Sequence, residues 1–364
     1  MENELIQSKS FTDNVNTMPA IRGFAGAITG NNGTELYAID GTGVLWRNIL
    51  NTPGWTNLGL PAQGVGINLN TVVGALFANG YAYVFVVGND GNLYQWTAAS
   101  GAATWTNLGG NSNFTIPTPV GVVNWNGNNN VYIMGMNIAG GAMNLWLYTN
   151  NGWLNLGAPQ GGTIGAPGGA IVTGLGNPYA FTLGGLATGG GCAWYNQWNG
   201  NAYVWQSAGM DPENFNNVNH INSINLRDGN AYTFFTAMNS TDGAMHVCCN
   251  CHDGGWGWQD CGVPTGTTIK SGFCSIAITG GDSNPYVFLQ CNDNNMWCCT
   301  FNNGWVWQNM GAPAPGLNVN LVLNSAAVPG SAIPTLFMPG NDGNIYMASS
   351  DGNNWSWSVM PSSN

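Results

Sequence analysis

Three features of the sequence predict an all-β fold, a seven-bladed β-propeller of four-stranded antiparallel blades. One tryptophan-centred phrase recurs seven times at a repeat of about 50 residues. Three strand-like segments precede each recurrence. No helix-length periodic segment occurs anywhere in the 364 residues.

The phrase reads "GWTNLGLP" at 54–61, "TWTNLGG" at 104–110 and "GWLNLGAP" at 152–159. Aligned on its tryptophan it falls at Trp55, Trp105, Trp153, Trp205, Trp258, Trp307 and Trp357, with gaps of 50, 48, 52, 53, 49 and 50 residues. Such a period suits propeller blades, each of which buries its apolar faces only by stacking on its neighbours. Proline is confined to sheet edges and strand ends, so the Gly-Pro ending marks an outermost strand and the exit to the next blade.

Upstream, the first segment of each repeat is built of small residues: "GFAGAITG" (23–30), "VVGALFANG" (72–80), "GGAIVTG" (168–174) and "FCSIAITG" (273–280). It suits the innermost strand, where blades converge and large side chains clash. The second segment, such as "YAYVFVV" (81–87) or "PYVFLQ" (285–290), and the third, such as "NLYQWT" (92–97) or "MWCCTF" (296–301), are aromatic and β-branched. Both are bounded by Gly, Asn or Asp, as strands are. "NDGN" at 89–92 and 341–344 is a hairpin signal between them. The blades fall at about 19–61, 66–110, 117–159, 165–212, 217–264, 269–313 and 319–361 within a propeller domain of 19–364. Residues 1–18 are left as an N-terminal arm or an extra strand. The first and last repeats look complete, so ring closure needs no strand exchanged between termini.

Composition narrows the partners. Charged residues are 6% of the chain, against roughly 25% in an ordinary globular protein. With 44% hydrophobic residues and 17 Trp, 12 Tyr and 13 Phe, the chain is not a disordered one. The net charge of −11 and five Lys+Arg supply no cationic stripe for nucleic acid, and no apolar run reaches membrane-spanning length. Neither nucleic-acid binding nor membrane insertion is expected. The start "MENELIQSKS" lacks the pattern of a secretory signal, which points to cytoplasmic synthesis, with release by lysis or a non-classical route. All nine cysteines lie between Cys192 and Cys299, an odd and clustered set read as mostly free thiols.

An aromatic recurs in mid-strand three, at Trp46, Tyr94, Trp146, Trp194, Trp297 and Tyr346, with His246 in blade five. Asp90, Asp242, Asp293 and Asp342 stand four residues earlier, and Asp40 six. An indole or phenol covers the C–H face of a sugar, and a carboxylate accepts two hydroxyls. The alternative is architectural, with the aromatic packing between blades and the Asp bonding its own turn. Trp256, Trp305 and Trp355 form a further set, two residues before the phase tryptophan and on the same strand face. They read as blade packing or as an exposed patch. "HVCCNCHDGG" (246–255) lacks the second ligand pair of a zinc site. In the repeat frame Cys248 and Cys299 take the column of Trp96, Tyr148 and Ala348, a buried position. No metal or cofactor is expected. Three arginines cannot make a sialidase-like triad on one face, and no nucleophile elbow or P-loop occurs, so the expectation is a protein that is not an enzyme.

The phrases "NDGNLYQW" (89–96), "NDGNIYM" (341–347) and W-x-N-L-G-x-P (55–61, 153–159) resemble the repeats of seven-bladed propeller lectins, of the bacterial Photorhabdus type and the mushroom Psathyrella velutina lectin. Tectonin/tachylectin repeats are a more distant likeness. The resemblance covers residues 20–361 and implies sugar sites between adjacent blades. Six-bladed fucose lectins repeat an Arg/Glu pair, which Arg22, Arg47 and Arg227 cannot repeat seven times. The expected function is a multivalent lectin for neutral glycans, its sites concentrated in blades one, two, six and seven, where Asp and aromatic are both present. A structural or protein-interaction propeller, in a self-assembling particle or a toxin-targeting module, is the alternative. Homo-oligomer and protein partner stay open.

Overall fold

A computed structural model describes residues 21–360, apart from 31–32, 53, 99–102, 174–175, 188–190, 211–214, 226–230, 253–255, 271–274, 279–283, 315–316, 318–325, 328–333 and 341. The arm expected at 1–18 lies outside these residues. The described residues form 28 strands in seven four-stranded antiparallel sheets, and in every sheet spatial order follows chain order. Blade one is typical: Ile21–Gly30, Gly33–Asp40, Leu45–Ile49 and Thr56–Gly59 run from the inside to the rim. The innermost strands contact one another in cyclic order, the last touching the first. No helix among the described residues is long and apolar enough to cross a membrane.

Small residues line the inside because the next blade leaves no room. Gly26, Gly74 and Gly121 hold one column at a bulge in the innermost strand, with φ of 145°, 148° and 159°. A Cβ on Gly26 would stand 3.1 Å from Ala75 Cβ, one on Gly74 3.3 Å from Val122 Cγ1, and one on Gly121 3.0 Å from the Ala170 amide nitrogen. Only glycine accepts both that backbone geometry and that approach.

The core is a set of interblade layers. Val84, Val86 and Trp96 of blade two pack on Tyr37, Ile39 and Leu45 of blade one. Phe337, Ile345 and Met360 of blade seven pack on Phe24, Leu36 and Trp55 of blade one, which closes the ring. Among the described residues all four strands of each blade come from one stretch of chain, so the closure they show is made by side-chain packing and not by an exchanged strand.

The recurring phrase now has a physical account. Asn57, Asn107, Asn155 and Asn309 each accept, on Oδ1, the amide N–H of the glycine two residues on, at 2.7–2.8 Å. Ser207 and Asp260 do the same in blades four and five. Those glycines, Gly59, Gly109, Gly157, Gly209, Gly262 and Gly311, have φ between 70° and 104°. A short polar side chain followed by a left-handed glycine ends the outer strand in an Asx-type turn. The phase tryptophan staples blades together: Trp105, Trp205, Trp307 and Trp357 donate Nε1–H to the carbonyls of Leu58, Leu156, Cys261 and Met310 in the preceding blade, at 2.7–3.0 Å.

Candidate functional site

The Asp–aromatic pairs sit at the end of the ring that carries the turns between strands two and three. There the two residues bond each other. Trp46 Nε1–H donates to Asp40 at 2.8 Å, Tyr94 O–H to Asp90 at 2.7 Å, Trp297 Nε1–H to Asp293 at 3.1 Å and Tyr346 O–H to Asp342 at 2.6 Å. The second function of each carboxylate is its own turn. Asp40 also accepts from the Thr42 amide and hydroxyl and the Val44 amide, and the other three accept from Asn92, Asn295 or Asn344. Burial pushes the Asp40 carboxyl up, but the hydrogen bonds from Thr42, Trp46 and Val44 outweigh it and hold it below the usual range.

Burial closes most of the expected platforms. Trp46, Tyr94, Trp146, Trp194 and Tyr346 are 1–7% exposed, which leaves no ring face wide enough for a sugar. Trp146 is stacked on Phe114 at 4.5 Å. In blades three and four, where no Asp faces the aromatic, the Nε1–H of Trp146 and Trp194 has no partner. The carboxylate is thus the indole's natural acceptor. Asp90, Asp242, Asp293 and Asp342 remain exposed at the turn, and Trp297 alone of the six aromatics is half-open.

Blade five replaces the neutral ring by an imidazole clamped between two carboxylates. His246 Nε2 faces Asp242 at 2.8 Å and Nδ1 faces Asp260 at 2.9 Å. Its ring takes the place that the Tyr94 hydroxyl takes between Asp90 and Asn107. Desolvation lowers the imidazole pKa, yet the bonds to Asp260 and Asp242 prevail and raise it above the ordinary value. The repeat frame misplaces Cys248: Cys299 faces Trp307 across the strands as Trp96 faces Trp105, but in blade five Asn250 faces Trp258. Two more residues separate Asp242 from the outer-strand bulge than separate Asp90 from its own, and this shifts the register. The eight described cysteines are all buried.

Trp256, Trp305 and Trp355 are half-buried at blade junctions. Each meets a phenylalanine of the preceding blade edge-on: Phe181, Phe234 and Phe288, at 5.6–5.7 Å. Trp305 and Trp355 also donate to the Gln259 and Gln308 side chains, both at 3.1 Å.

At the opposite end of the ring, a cleft of about 420 Å³ opens between blades six and seven. Tyr286, Thr300, Asn302 and Gln308 line it from blade six, Ser350 and Asp351 from blade seven. Trp355 holds Gln308 at its base. Backbone amides of Asn354 and Asn353 bond Asp351 Oδ1 at 2.7 and 2.9 Å and keep its carboxyl below the usual range. The Thr300 hydroxyl has no partner although the residue is 5% exposed. No lysine or arginine stands among the described residues that line the cleft. The sequence does not announce this cleft, because two blades contribute turn residues of irregular length. Blade one also holds one Arg/Glu pair, Arg47 and Glu35 at 3.8 Å, with Tyr37 O–H donating to Glu35.

No family model and no curated protein matches the chain. Solved structures do match. AofleA from Arthrobotrys oligospora gives a TM-score of 0.49 at 11% identity over 94% of each chain. The six-bladed fungal lectin of Aleuria aurantia, described with a novel fucose recognition mode, gives 0.46 at 13% identity over 80% of this chain and 95% of that one. The α-L-arabinanase of Penicillium chrysogenum, complexed with arabinobiose, gives 0.47 at 11% over 78% and 90%. The set holds a lectin and an enzyme, and at such identities the likeness is one of fold alone. The chain's own sheets define the architecture: a seven-bladed β-propeller, one blade more than the Aleuria lectin.

Proposed function

We propose that this propeller is a non-catalytic carbohydrate-binding protein for neutral, hydroxyl-rich glycans, and that the cleft between blades six and seven is a binding site. The observation that carries this is the chemistry of the cleft. Its volume of about 420 Å³ falls within the roughly 300–1,000 Å³ of small-molecule sites. Its lining offers amides, hydroxyls, a phenol and one ionised carboxylate, the groups that exchange hydrogen bonds with a polyol. A phosphate or carboxylate ligand would find no cation among the lining residues and Asp351 against it. Asp351 serves as an acceptor for sugar hydroxyls. Of the Asp–aromatic pairs, Asp293 with the half-open Trp297 is the one carried forward as a contact. Several weak sites on one ring gain by avidity on multivalent glycans, by a factor of about 10²–10⁴.

The test is binding to an array of neutral glycans by the wild type and by Asn302→Ala and Asp351→Ala. Wild-type binding that weakens about tenfold or more in both variants, each folded, supports the cleft; that is the loss of about 1.4 kcal/mol. A clean array with no thermal shift in any neutral sugar defeats the proposal. The second reading, a ring that docks protein partners, draws on Met136 and Ile138 of blade three, 46% and 63% exposed. Co-elution with a protein, with no retardation on sugar matrices, favours it.

A further inference from the structure

The tetrapeptide Trp-Asn-Gly-Asn occurs twice, at 125–128 and at 198–201. The two copies do not occupy equivalent places in the repeat. Trp125 ends the innermost strand of blade three, Phe114–Trp125, and Trp198 ends the third strand of blade four, Gly191–Trp198. Each is followed by a tight turn: Asn126 and Gly127 have φ of 50° and 76°, and Gly200 has 99°. Both turns lie at the end of the ring that carries the cleft between blades six and seven, and they bring the two indoles to 5.8 Å between centroids, at 54° to each other. Tyr203 of blade four meets Trp198 edge-on at 5.1 Å and 64°. All three rings are half-buried, and Tyr203 also packs on the core between blades three and four.

The surroundings are amide. Asn126, Asn128, Asn199 and Asn201 are exposed around the rings. Asn150 donates to Asn128 at 2.5 Å, and Asn199 accepts the amides of Asn201 and Ala202, so the fringe is pre-ordered. Neither hairpin, 124–130 or 197–203, contains a charged residue. Blade packing accounts for buried tryptophans such as Trp96, whereas Trp125 and Trp198, at strand ends, belong to none of the core clusters of blades two to five among the described residues.

We infer that Trp125, Trp198 and Tyr203 form a second carbohydrate site, an open aromatic platform for the C–H face of a neutral pyranose, with the asparagine fringe meeting its hydroxyls. The inference rests on the carbohydrate-binding reading above but not on the cleft. It differs from the cleft in kind, because it offers aromatic faces where the cleft offers mainly hydrogen-bonding groups. A cationic ligand fits less well, since no carboxylate stands in either hairpin.

The test titrates cellotetraose, mannotetraose and N-acetylchitotetraose into the wild type, Trp125→Ala, Trp198→Ala, Trp125→Phe and the cleft variant Asp351→Ala, with near-ultraviolet circular dichroism to check folding. Affinity for at least one probe is expected to fall about tenfold in Trp125→Ala and Trp198→Ala, as for one lost stacking contact. It should be largely kept in Trp125→Phe and in Asp351→Ala. Should Trp198→Ala fail to fold, the contrast between Trp125→Ala and Trp125→Phe decides. Wild-type affinity in Trp125→Ala overturns the platform while the carbohydrate reading stands. Loss confined to Asp351→Ala assigns binding to the cleft and also overturns it. No binding of any probe by the wild type removes platform and carbohydrate reading together.

Discussion

Replacing Trp357 by phenylalanine keeps an aromatic ring between blades six and seven but removes the N–H that Met310 accepts at 2.7 Å. A net hydrogen bond contributes about 0.5–1.5 kcal/mol, and a carbonyl left without its donor in a part-buried site costs about 1–3 kcal/mol. Trimming the indole to a phenyl adds a packing loss that any such site would show. Trp153 supplies the control. It holds the same place in blade three, yet its Nε1–H has no partner, so Trp153→Phe loses volume and gives up no bond. Trp357→Phe should therefore cost more than Trp153→Phe by about 1–2 kcal/mol, a factor of roughly 5–30 in the unfolding equilibrium. Urea unfolding followed by far-ultraviolet circular dichroism, with the midpoints compared at a common slope, measures that difference. Equal losses in the two variants would show that the phase tryptophans act as space-filling rings and that the cross-blade bond contributes nothing.

Blade five should show pH-dependent stability. The folded pKa of His246 is raised, so its clamp contributes fully below the ordinary imidazole value of about 6.5 and is lost as pH rises through the raised one. The advantage of the wild type over His246→Gln should shrink across that window, and a gap that is constant from pH 5 to 9 refutes the clamp. Asp40→Ala should destabilise by about 2–4 kcal/mol, since four donors lose their acceptor in a buried turn; Asp90→Ala, at an exposed turn, should cost less, and thermal unfolding ranks the two. The eight described thiols are buried, so a hydrophilic disulfide reagent should leave them unmodified in the native protein and label them in urea.

Blade number and strand order were legible because each repeat carries its own start, turns and stop. The small residues of the first segment are read from composition, and their cause, the approach of Ala75 to Gly26 or of Ala170 to Gly121, is a contact about 50 residues away. The Asp–aromatic pair was visible as a spacing. A spacing of four residues across a hairpin turn, however, lets the carboxylate reach the ring's own polar atom, and that bond closes the pair on itself. Trp297 stays half-open in the same arrangement, a difference no single-blade pattern encodes. The duplicated Trp-Asn-Gly-Asn escaped alignment on the phase tryptophan, because its copies end strands of different rank.

A ring closed without an exchanged strand is a loop of seven seams, and the seams are unequal. Those between blades five and six and between six and seven each combine a carbonyl-bonded indole, a second tryptophan on a phenylalanine and a glutamine bond. The seam between blades two and three has Trp153 with its N–H unpartnered and no second tryptophan. In an array held by nearest-neighbour contacts, the weakest seam parts first. Parting it breaks no sheet, so each blade survives as a unit, and the two freed faces are complementary to each other. Two copies opened at that seam present each face to the other's counterpart, and the same contacts that close one ring would then join the copies head to tail. Mild destabilisation at high concentration would thus favour larger rings and strings of intact blades over unfolded chain.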